Sequence, residues 1–248
     1  MRMRYIFLIT FLTLFLLSRP IFARDKVTVA VAANFVTAFQ EITRSFEAKS
    51  GISVEATYAA TGQLYAQIMS GAPYDLFLAA DQEKPDLLYR AGRADAPFIY
   101  ATGQVVLWTI RKDLCSAGNW REVLTKPGLK KIAVANPKTA PYGAAATDAL
   151  RKTGLLEGVQ NKLVFAQNIA QAFQYAATGS VDAGFCALSA TLSEEGRKGC
   201  FFFVDEAPPI VQSACLLKRT AHRKGAEEFI RFLSAPEAVA VKKKYGYR

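Results

Sequence analysis

Short polar residues and glycine recur where a buried strand is followed at once by a helix. Asn34 follows the apolar strand 27–33, and Thr61 with Gly62 follows the strand 52–58. At such a junction the first backbone N–H groups of the helix lack partners, and the positive end of the helix dipole lies beside them. Each junction predicts an anion-binding site that needs no charged side chain, and the glycine lets a ligand approach the backbone closely. Helix capping alone is the alternative for Asn34 and Thr61.

Two further junctions of this kind lie in the second half of the chain. The strand 132–135 leads through a loop to Tyr142 at the start of a helix. The strand 163–166 leads to Asn168 and Ile169. Asn168 has the position of a capping residue, which leaves the N–H of Ile169 exposed at the helix start.

Residues for acid–base, nucleophilic or metal chemistry are few. The single histidine, His222, lies in a basic stretch, so a catalytic triad or a histidine metal site has little support. Asp75 and Asp81 lie six residues apart, an even spacing that puts them on one side of a strand. Two such carboxylates could act as acid and base. An enzyme therefore remains an alternative, although capping and loop contacts would also account for both residues.

The four cysteines, at positions 115, 186, 200 and 215, match no metal-binding spacing. Cys200 and Cys215 flank a segment interpreted as two strands around Pro208 and Pro209, so a cross-strand disulfide between them is conceivable. Cys186 lies in an apolar run and is expected to be a packed thiol.

Residues 1–23 have the pattern of a secretory signal peptide. Arg2 and Arg4 precede the uncharged run 5–18, and Ala23 offers a small residue at a cleavage point. An uncleaved anchor is the alternative, although the run is short for a bilayer span. Removal of the segment would take the formal charge from +10 to +7. The remaining basic residues are scattered, so we expect a periplasmic protein that does not bind nucleic acid.

Strands and helices alternate along nearly the whole chain, which is typical of α/β layers with largely parallel strands. Two long extended runs, 98–110 and 210–217, are interpreted as strands that cross between two lobes. We therefore predict a two-lobed α/β fold with a hinge of two crossing strands. Lobe I would consist of 24–103 and 213–248, and lobe II of 104–212. Because ligands bind beyond the carboxyl ends of strands in such sheets, the four junctions are expected to face one another across a cleft.

Four segments support a more specific interpretation. They are AVAANF at 30–35, YAATGQLYAQI at 58–68, GAPYDLFLAADQ at 71–82 and ANPKTAPYG at 135–143. In this order they resemble the periplasmic molybdate-binding proteins of ABC importers, and the similarity extends to Gly246. The resemblance implies the class II periplasmic-binding-protein fold, in which two lobes close over a tetrahedral oxyanion held by neutral hydrogen-bond donors.

Carried over by position, the resemblance assigns ligand binding to Asn34, Thr61, Tyr142 and Ile169. Asn34 and Thr61 would donate from their side chains, whereas Tyr142 and Ile169 would donate from backbone N–H groups. Some members add a tyrosine hydroxyl on the strand after the fourth junction, where this chain has cysteine and alanine at 186–187. Asn34 is a second departure, because other members have a serine there.

The function that the resemblance implies is capture of molybdate or tungstate outside the cytoplasm and delivery to the membrane permease of an ABC importer. The metal would arrive as an oxyanion, so we expect no site for a bare metal ion and no cofactor. A binding protein for sulfate, thiosulfate or phosphate is the alternative. We expect a monomer.

Overall fold

The computed structural model describes residues 26–248, so the expected signal peptide at 1–23 lies outside the described residues. The strands are β1 (Lys26–Ala32), β2 (Ser53–Ala59), β3 (Leu76–Leu78), β4 (Phe98–Gly103), β5 (Val105–Thr109), β6 (Ile132–Ala135), β7 (Leu163–Ala166), β8 (Ala183–Ala187), β9 (Cys200–Phe203) and β10 (Ile210–Leu216). The helices are α1 (Val36–Ser50), α2 (Thr61–Met69), α3 (Glu83–Arg90), α4 (Trp120–Thr125), α5 (Pro141–Lys152), α6 (Leu156–Val159), α7 (Ile169–Ala177), α8 (Leu188–Thr191), α9 (Arg223–Leu233) and α10 (Pro236–Lys244). Within 26–248, none of these helices combines the length and the apolar character that a membrane span requires.

The strands form two mixed sheets of five strands each. The first has the order β2-β1-β3-β10-β4, with β1 parallel to β2 and β3, and β10 antiparallel to both of its neighbours. The second has the order β7-β6-β8-β5-β9, with β6 parallel to β7 and β8, and β5 antiparallel to both of its neighbours. We call the parts built on these sheets lobe I and lobe II. The predicted two-lobed α/β fold is confirmed.

Helix α1 shows how the sequence builds a lobe around its strands. Its apolar stripe places Phe39, Ile42 and Phe46 in the core of lobe I, where the ring of Phe39 packs edge-on against Phe229. Gly51 follows the helix with φ 72°, a left-handed conformation that glycine adopts without strain. The helix therefore ends where β2 must begin.

The hinge consists of two passages between the sheets. The run 98–110 passes from the first sheet to the second at Gln104, between β4 and β5, so this predicted crossing is confirmed. The return passage is not along 210–217, because β10 pairs only with β3 and β4 of the first sheet. The chain changes sheets in 204–209, where two successive prolines have no N–H for a strand ladder.

The disulfide joins Cys115 to Cys200, with 5.8 Å between their Cα atoms. The pairing of Cys200 with Cys215 that the sequence allowed is not formed, because Cys200 begins β9 in lobe II whereas Cys215 lies inside β10 in lobe I. Burial raises the pKa of Cys215 to about 12. Cys186 is buried and unpaired, which confirms the expected packed thiol.

Candidate functional site

The four predicted junctions surround one small cavity between the lobes. Asn34 and Thr61 line it from lobe I, and Tyr142 and Ile169 line it from lobe II. The cavity is narrow, and alanines form much of the remaining wall. Among the described residues that line it, none carries a charge. The structure thus brings together every residue that the sequence placed in the candidate site.

Asn34 lies in a short 3-10 turn, Ala33–Phe35, between β1 and α1, and only 5% of it is exposed. Its side chain makes no capping hydrogen bond, so the capping interpretation of Asn34 is wrong. The amide points into the protein instead. Nδ2 donates to Gln212 Oε1 at 2.8 Å and to Tyr247 Oη at 3.2 Å. Within residues 26–248, Oδ1 is buried without a hydrogen-bond partner.

Thr61 begins α2 and is 1% exposed. It does not cap that helix, since Ala60 is the capping residue and the Gln63 side chain accepts from the Ala60 N–H. The hydroxyl instead accepts a hydrogen bond from the Ala80 N–H, at 2.9 Å. That bond fixes the oxygen and leaves the hydroxyl proton available, so Thr61 can donate to an anion in the cavity.

Gly62 contacts the opposite lobe. Its N–H donates to Thr139 O at 2.9 Å. A Cβ at position 62 would lie 3.2 Å from the Cα and the carbonyl oxygen of Thr139, closer than side chains normally pack. The expectation that this glycine admits a ligand is therefore wrong: the small residue admits the loop before α5, and the bond joins the lobes beside the cavity.

Tyr142 lies in the first turn of α5, directly after Pro141. The first intrahelical hydrogen bond runs from the Ala144 N–H to Ala140 O. The N–H of Tyr142 therefore precedes the intrahelical bonds. Gly143 brings this turn onto the end of β6, since a Cβ there would lie 2.1 Å from a backbone carbonyl oxygen of that strand. The close approach places the helix N-terminus at the cavity.

Ile169 is the first residue of α7 and is buried. Asn168 caps the helix, with its side chain accepting from the Gln171 N–H at 3.0 Å, as the sequence predicted. The Ala172 N–H donates to Asn168 O, so the N–H of Ile169 is left at the open end of the helix. Both donors expected from lobe II are thus backbone groups at helix N-termini.

A buried polar network lies behind the cavity wall and was missed by the sequence analysis. Gln212 of β10 is fully buried, and its Nε2 donates to Tyr142 Oη at 3.2 Å. Tyr100 Oη lies 2.9 Å from Gln212 Oε1. A Cβ at Gly103 would lie 1.9 Å from Tyr142 Oη, so glycine at the hinge end of β4 makes room for the network.

Two more hydroxyls hold the Asn34 backbone. Ser189 of α8 donates to Asn34 O at 2.8 Å from lobe II, and Tyr247 Oη donates to the same oxygen at 2.7 Å from the C-terminal segment. Burial raises the pKa of Tyr247 and of Tyr142 well above the ordinary value. Both phenols are therefore neutral at physiological pH.

The two aspartates considered for acid–base chemistry do not line the cavity. Asp75 accepts hydrogen bonds from Thr28 N–H at 2.7 Å and from the Thr220 hydroxyl at 2.5 Å. Burial opposes its ionisation, but these bonds outweigh burial and hold its pKa below the usual value. Asp81 accepts from the Lys84 N–H at the start of α3, and burial raises its pKa. Since β3 is only Leu76–Leu78, neither carboxylate lies on the strand that was to align them.

Several known proteins are similar to this chain in sequence and in fold. Residues 27–248 match a family model described as bacterial extracellular solute-binding protein. The chain is 40% identical over 227 residues to a molybdate-binding protein, ModA, of Rhodobacter capsulatus, covering 91% of this chain and 89% of that protein. A solved structure, the periplasmic molybdate-binding protein of Azotobacter vinelandii, superposes with a TM-score of 0.84 at 35% identity, covering 90% of this chain and 98% of that one.

A more distant match is similar in fold alone. The sulfate-binding protein SubI of Mycobacterium tuberculosis has a TM-score of 0.73 at 17% identity, over 90% of this chain and 86% of that one. These comparisons confirm the resemblance to molybdate-binding proteins that the four sequence segments suggested.

Proposed function

Because this chain belongs to the bacterial extracellular solute-binding proteins, we propose that it captures molybdate or tungstate outside the cytoplasm and delivers the anion to the permease of an ABC importer. One observation carries the proposal: uncharged donors from both lobes meet at a single small cavity. The names of its relatives point to the same ligand.

The proposed donors are the Asn34 and Thr61 side chains and the Tyr142 and Ile169 N–H groups. A dianion in a closed cavity must recover the interactions it loses with water. Hydrogen bonds to charged groups contribute about 1.5–3 kcal/mol each, so about half a dozen would offset desolvation and still leave sub-micromolar affinity. Neutral donors spread this interaction over the anion and let the cavity radius select among anions, with sulfate being smaller than molybdate.

Contacts across the cleft support closure of the lobes over the ligand. Besides the backbone bond from Gly62 to Thr139, the Ser189 hydroxyl of lobe II reaches the backbone of Asn34 in lobe I. We propose a division into lobes close to the one expected from the sequence, with the first change at Gln104 and the return before β10. Opening at these two passages would release the anion to the permease.

The remaining parts of the proposal concern the setting of the protein. We propose that it is periplasmic, exported by the signal peptide at 1–23, and that it acts as a monomer without a nucleic-acid partner. We also propose that the protein binds its ligand without catalysis. Its relatives are named as binding proteins, and Asp75 and Asp81 lie outside the cavity lining.

Thermal unfolding with a panel of oxyanions tests the proposal. A ligand that binds only the folded state raises the midpoint according to its concentration relative to Kd. We expect molybdate and tungstate to raise it well above the shift given by sulfate, thiosulfate or phosphate at equal ionic strength. A larger shift with sulfate or phosphate would mean that the site binds that anion instead of molybdate. No shift with any of these anions would contradict the proposed function.

A further inference from the structure

We propose that Gln212 is a positioning residue that turns together with the Asn34 amide and so determines which atom of that amide faces the bound anion. The inference rests on the proposed function, because it concerns how one of the proposed donors becomes a donor. Gln212 does not line the cavity, so it acts through Asn34.

The observed arrangement leaves Asn34 unsuited to an anion. The Nδ2 atom is directed to Gln212, to Tyr247 and, at 3.5 Å, to Tyr142 Oη, which places Oδ1 on the other side of the amide. Oδ1 has no partner among the described residues, although it is buried in a side chain that lines the cavity. A carbonyl oxygen repels an oxyanion, whereas an NH2 group in the same place would donate to it.

Hydrogen bonding around Gln212 is also incomplete in this arrangement. Tyr100 has one hydroxyl proton for two acceptors, Ala79 O at 3.1 Å and Gln212 Oε1 at 2.9 Å. Tyr142 Oη accepts from Gln212 Nε2, so its own proton is not used in that bond. Asn34 Oδ1, the Tyr100 hydroxyl and the Tyr142 hydroxyl thus each have an unused or shared hydrogen bond.

A half-turn of both amides resolves these shortfalls and changes one bond at Tyr247: its hydroxyl proton turns from Asn34 O to Asn34 Oδ1, while Ser189 continues to donate to Asn34 O. The two groups have nearly the same shape, so the 2.8 Å contact persists with Gln212 Nε2 donating to Asn34 Oδ1. The second Nε2 proton reaches Tyr100 Oη, which then donates to Ala79 O. Tyr142 Oη donates to Gln212 Oε1. The Asn34 NH2 group is then free to face the cavity.

The two amides must turn as a pair. If only Asn34 turned, its Oδ1 would face Gln212 Oε1 across 2.8 Å, and two carbonyl oxygens repel each other at that distance. The flanking hydroxyls of Tyr100 and Tyr142 can serve either state, because a hydroxyl both donates and accepts. The buried network therefore permits two arrangements, and an anion favours the one that presents NH2.

A double-mutant cycle with molybdate, read by calorimetry, tests this inference. We expect Gln212→Met, which keeps the length of the side chain but removes both polar groups, to weaken binding by about tenfold. In an Asn34→Ala background the same change should cost less than about twofold, because Gln212 acts only through that amide. Equal losses in both backgrounds would overturn the positioning role and indicate a general distortion of the cavity.

Ser213→Ala is the matched control, since Ser213 is the next residue of β10 and its hydroxyl donates to Phe98 O, outside the network. We expect it to leave the affinity for molybdate unchanged. An equal loss in this variant would show that any buried polar deletion in β10 weakens binding and would contradict the inference. If the wild-type chain binds none of the oxyanions, both the proposed function and this inference fail.

Side-chain amide resonances of ¹⁵N-labelled protein give a second reading that is independent of affinity. On addition of molybdate we expect the Asn34 and the Gln212 NH2 signals both to shift, although Gln212 does not line the cavity. A shift of the Asn34 signal alone would contradict the paired turn and leave the proposed function intact.

Discussion

In the proposed site, the two walls of the cavity would supply donors in different ways. Lobe I offers side chains: the Asn34 amide and the Thr61 hydroxyl are buried, and each is fixed by a bond to a residue elsewhere in that lobe. Lobe II offers backbone N–H groups at the starts of α5 and α7. Side-chain donors can be deleted one at a time, whereas backbone donors can only be moved.

This difference predicts where substitutions act. In lobe I, removal of one side chain should weaken binding while the fold survives. In lobe II, the proposed contacts depend on the packing that places the N–H groups of Tyr142 and Ile169, and the Tyr142 hydroxyl acts only through the buried network. The predictions below test that contrast, in order of decreasing effect on affinity.

Gly143→Ala should have the largest effect. The new Cβ would lie 2.1 Å from Ala135 O, so the start of α5 must move away from β6 and carry the Tyr142 N–H with it. Overpacking of this kind costs about 1–3 kcal/mol in stability, and we expect molybdate affinity to fall by about a hundredfold. Calorimetry and thermal unfolding measure the two effects.

The control for that change is Gly158→Ala in lobe II, where a new Cβ would have no neighbour within 4 Å. We expect it to bind molybdate as the wild type does. If Gly143→Ala also bound normally, the placement of the α5 N-terminus would not matter for the ligand, and the contrast between the lobes would be lost.

Thr61→Ala should weaken binding by about tenfold or more, because it deletes one charge-assisted donor and leaves the Ala80 N–H without its acceptor. Thr57→Ala, an exposed position on the neighbouring strand β2, is the matched control and should have no effect. Similar affinities for the two variants in calorimetry would argue against a donor at Thr61.

Ser189→Ala should have a smaller effect, about two- to fivefold, because it removes a bond across the cleft without removing a proposed ligand donor. Tyr247 still holds the same Asn34 carbonyl. We expect the loss to appear as a faster dissociation rate in stopped-flow measurements, since the bond stabilises the closed lobes. An unchanged dissociation rate would show that closure does not depend on this contact.

The affinity for molybdate should not change with pH between about pH 6 and 9, because no described residue that lines the cavity titrates in that range. Stability should fall above about pH 10. Burial raises the pKa of Tyr100, Tyr142 and Tyr247, so the unfolded chain loses these protons first and is favoured as the pH rises. A sloping affinity between pH 6 and 9 would point to a charged group at the anion.

The sequence predicted the fold and the positions of the site better than it predicted the contacts. Strand-to-helix junctions are local patterns, so Asn34, Thr61, Tyr142 and Ile169 could all be located from alternation and from the resemblance. The hydrogen-bond partners of Asn34 could not be located from the sequence, because Gln212 lies 178 residues away and contacts Asn34 only when β10 joins the first sheet. Gly103 was the one visible signal, a glycine in the middle of a long extended run.

The errors at Thr61, Gly62 and Cys200 have a common cause. A threonine at a helix start and a glycine beside it have the same local pattern whether they cap, bind a ligand or contact another lobe. Two cysteines flanking a proline turn look like a cross-strand pair until the strands are assigned to different sheets. Each depends on tertiary neighbours that no local spacing encodes.

The most direct test of the central claim is a crystal structure of the chain with tungstate, located by its anomalous scattering. The account predicts one strong peak in the cavity, within hydrogen-bond reach of the Asn34 amide, the Thr61 hydroxyl and the N–H groups of Tyr142 and Ile169, with no charged side chain in contact. A peak held by lysine or arginine elsewhere on the protein would contradict it.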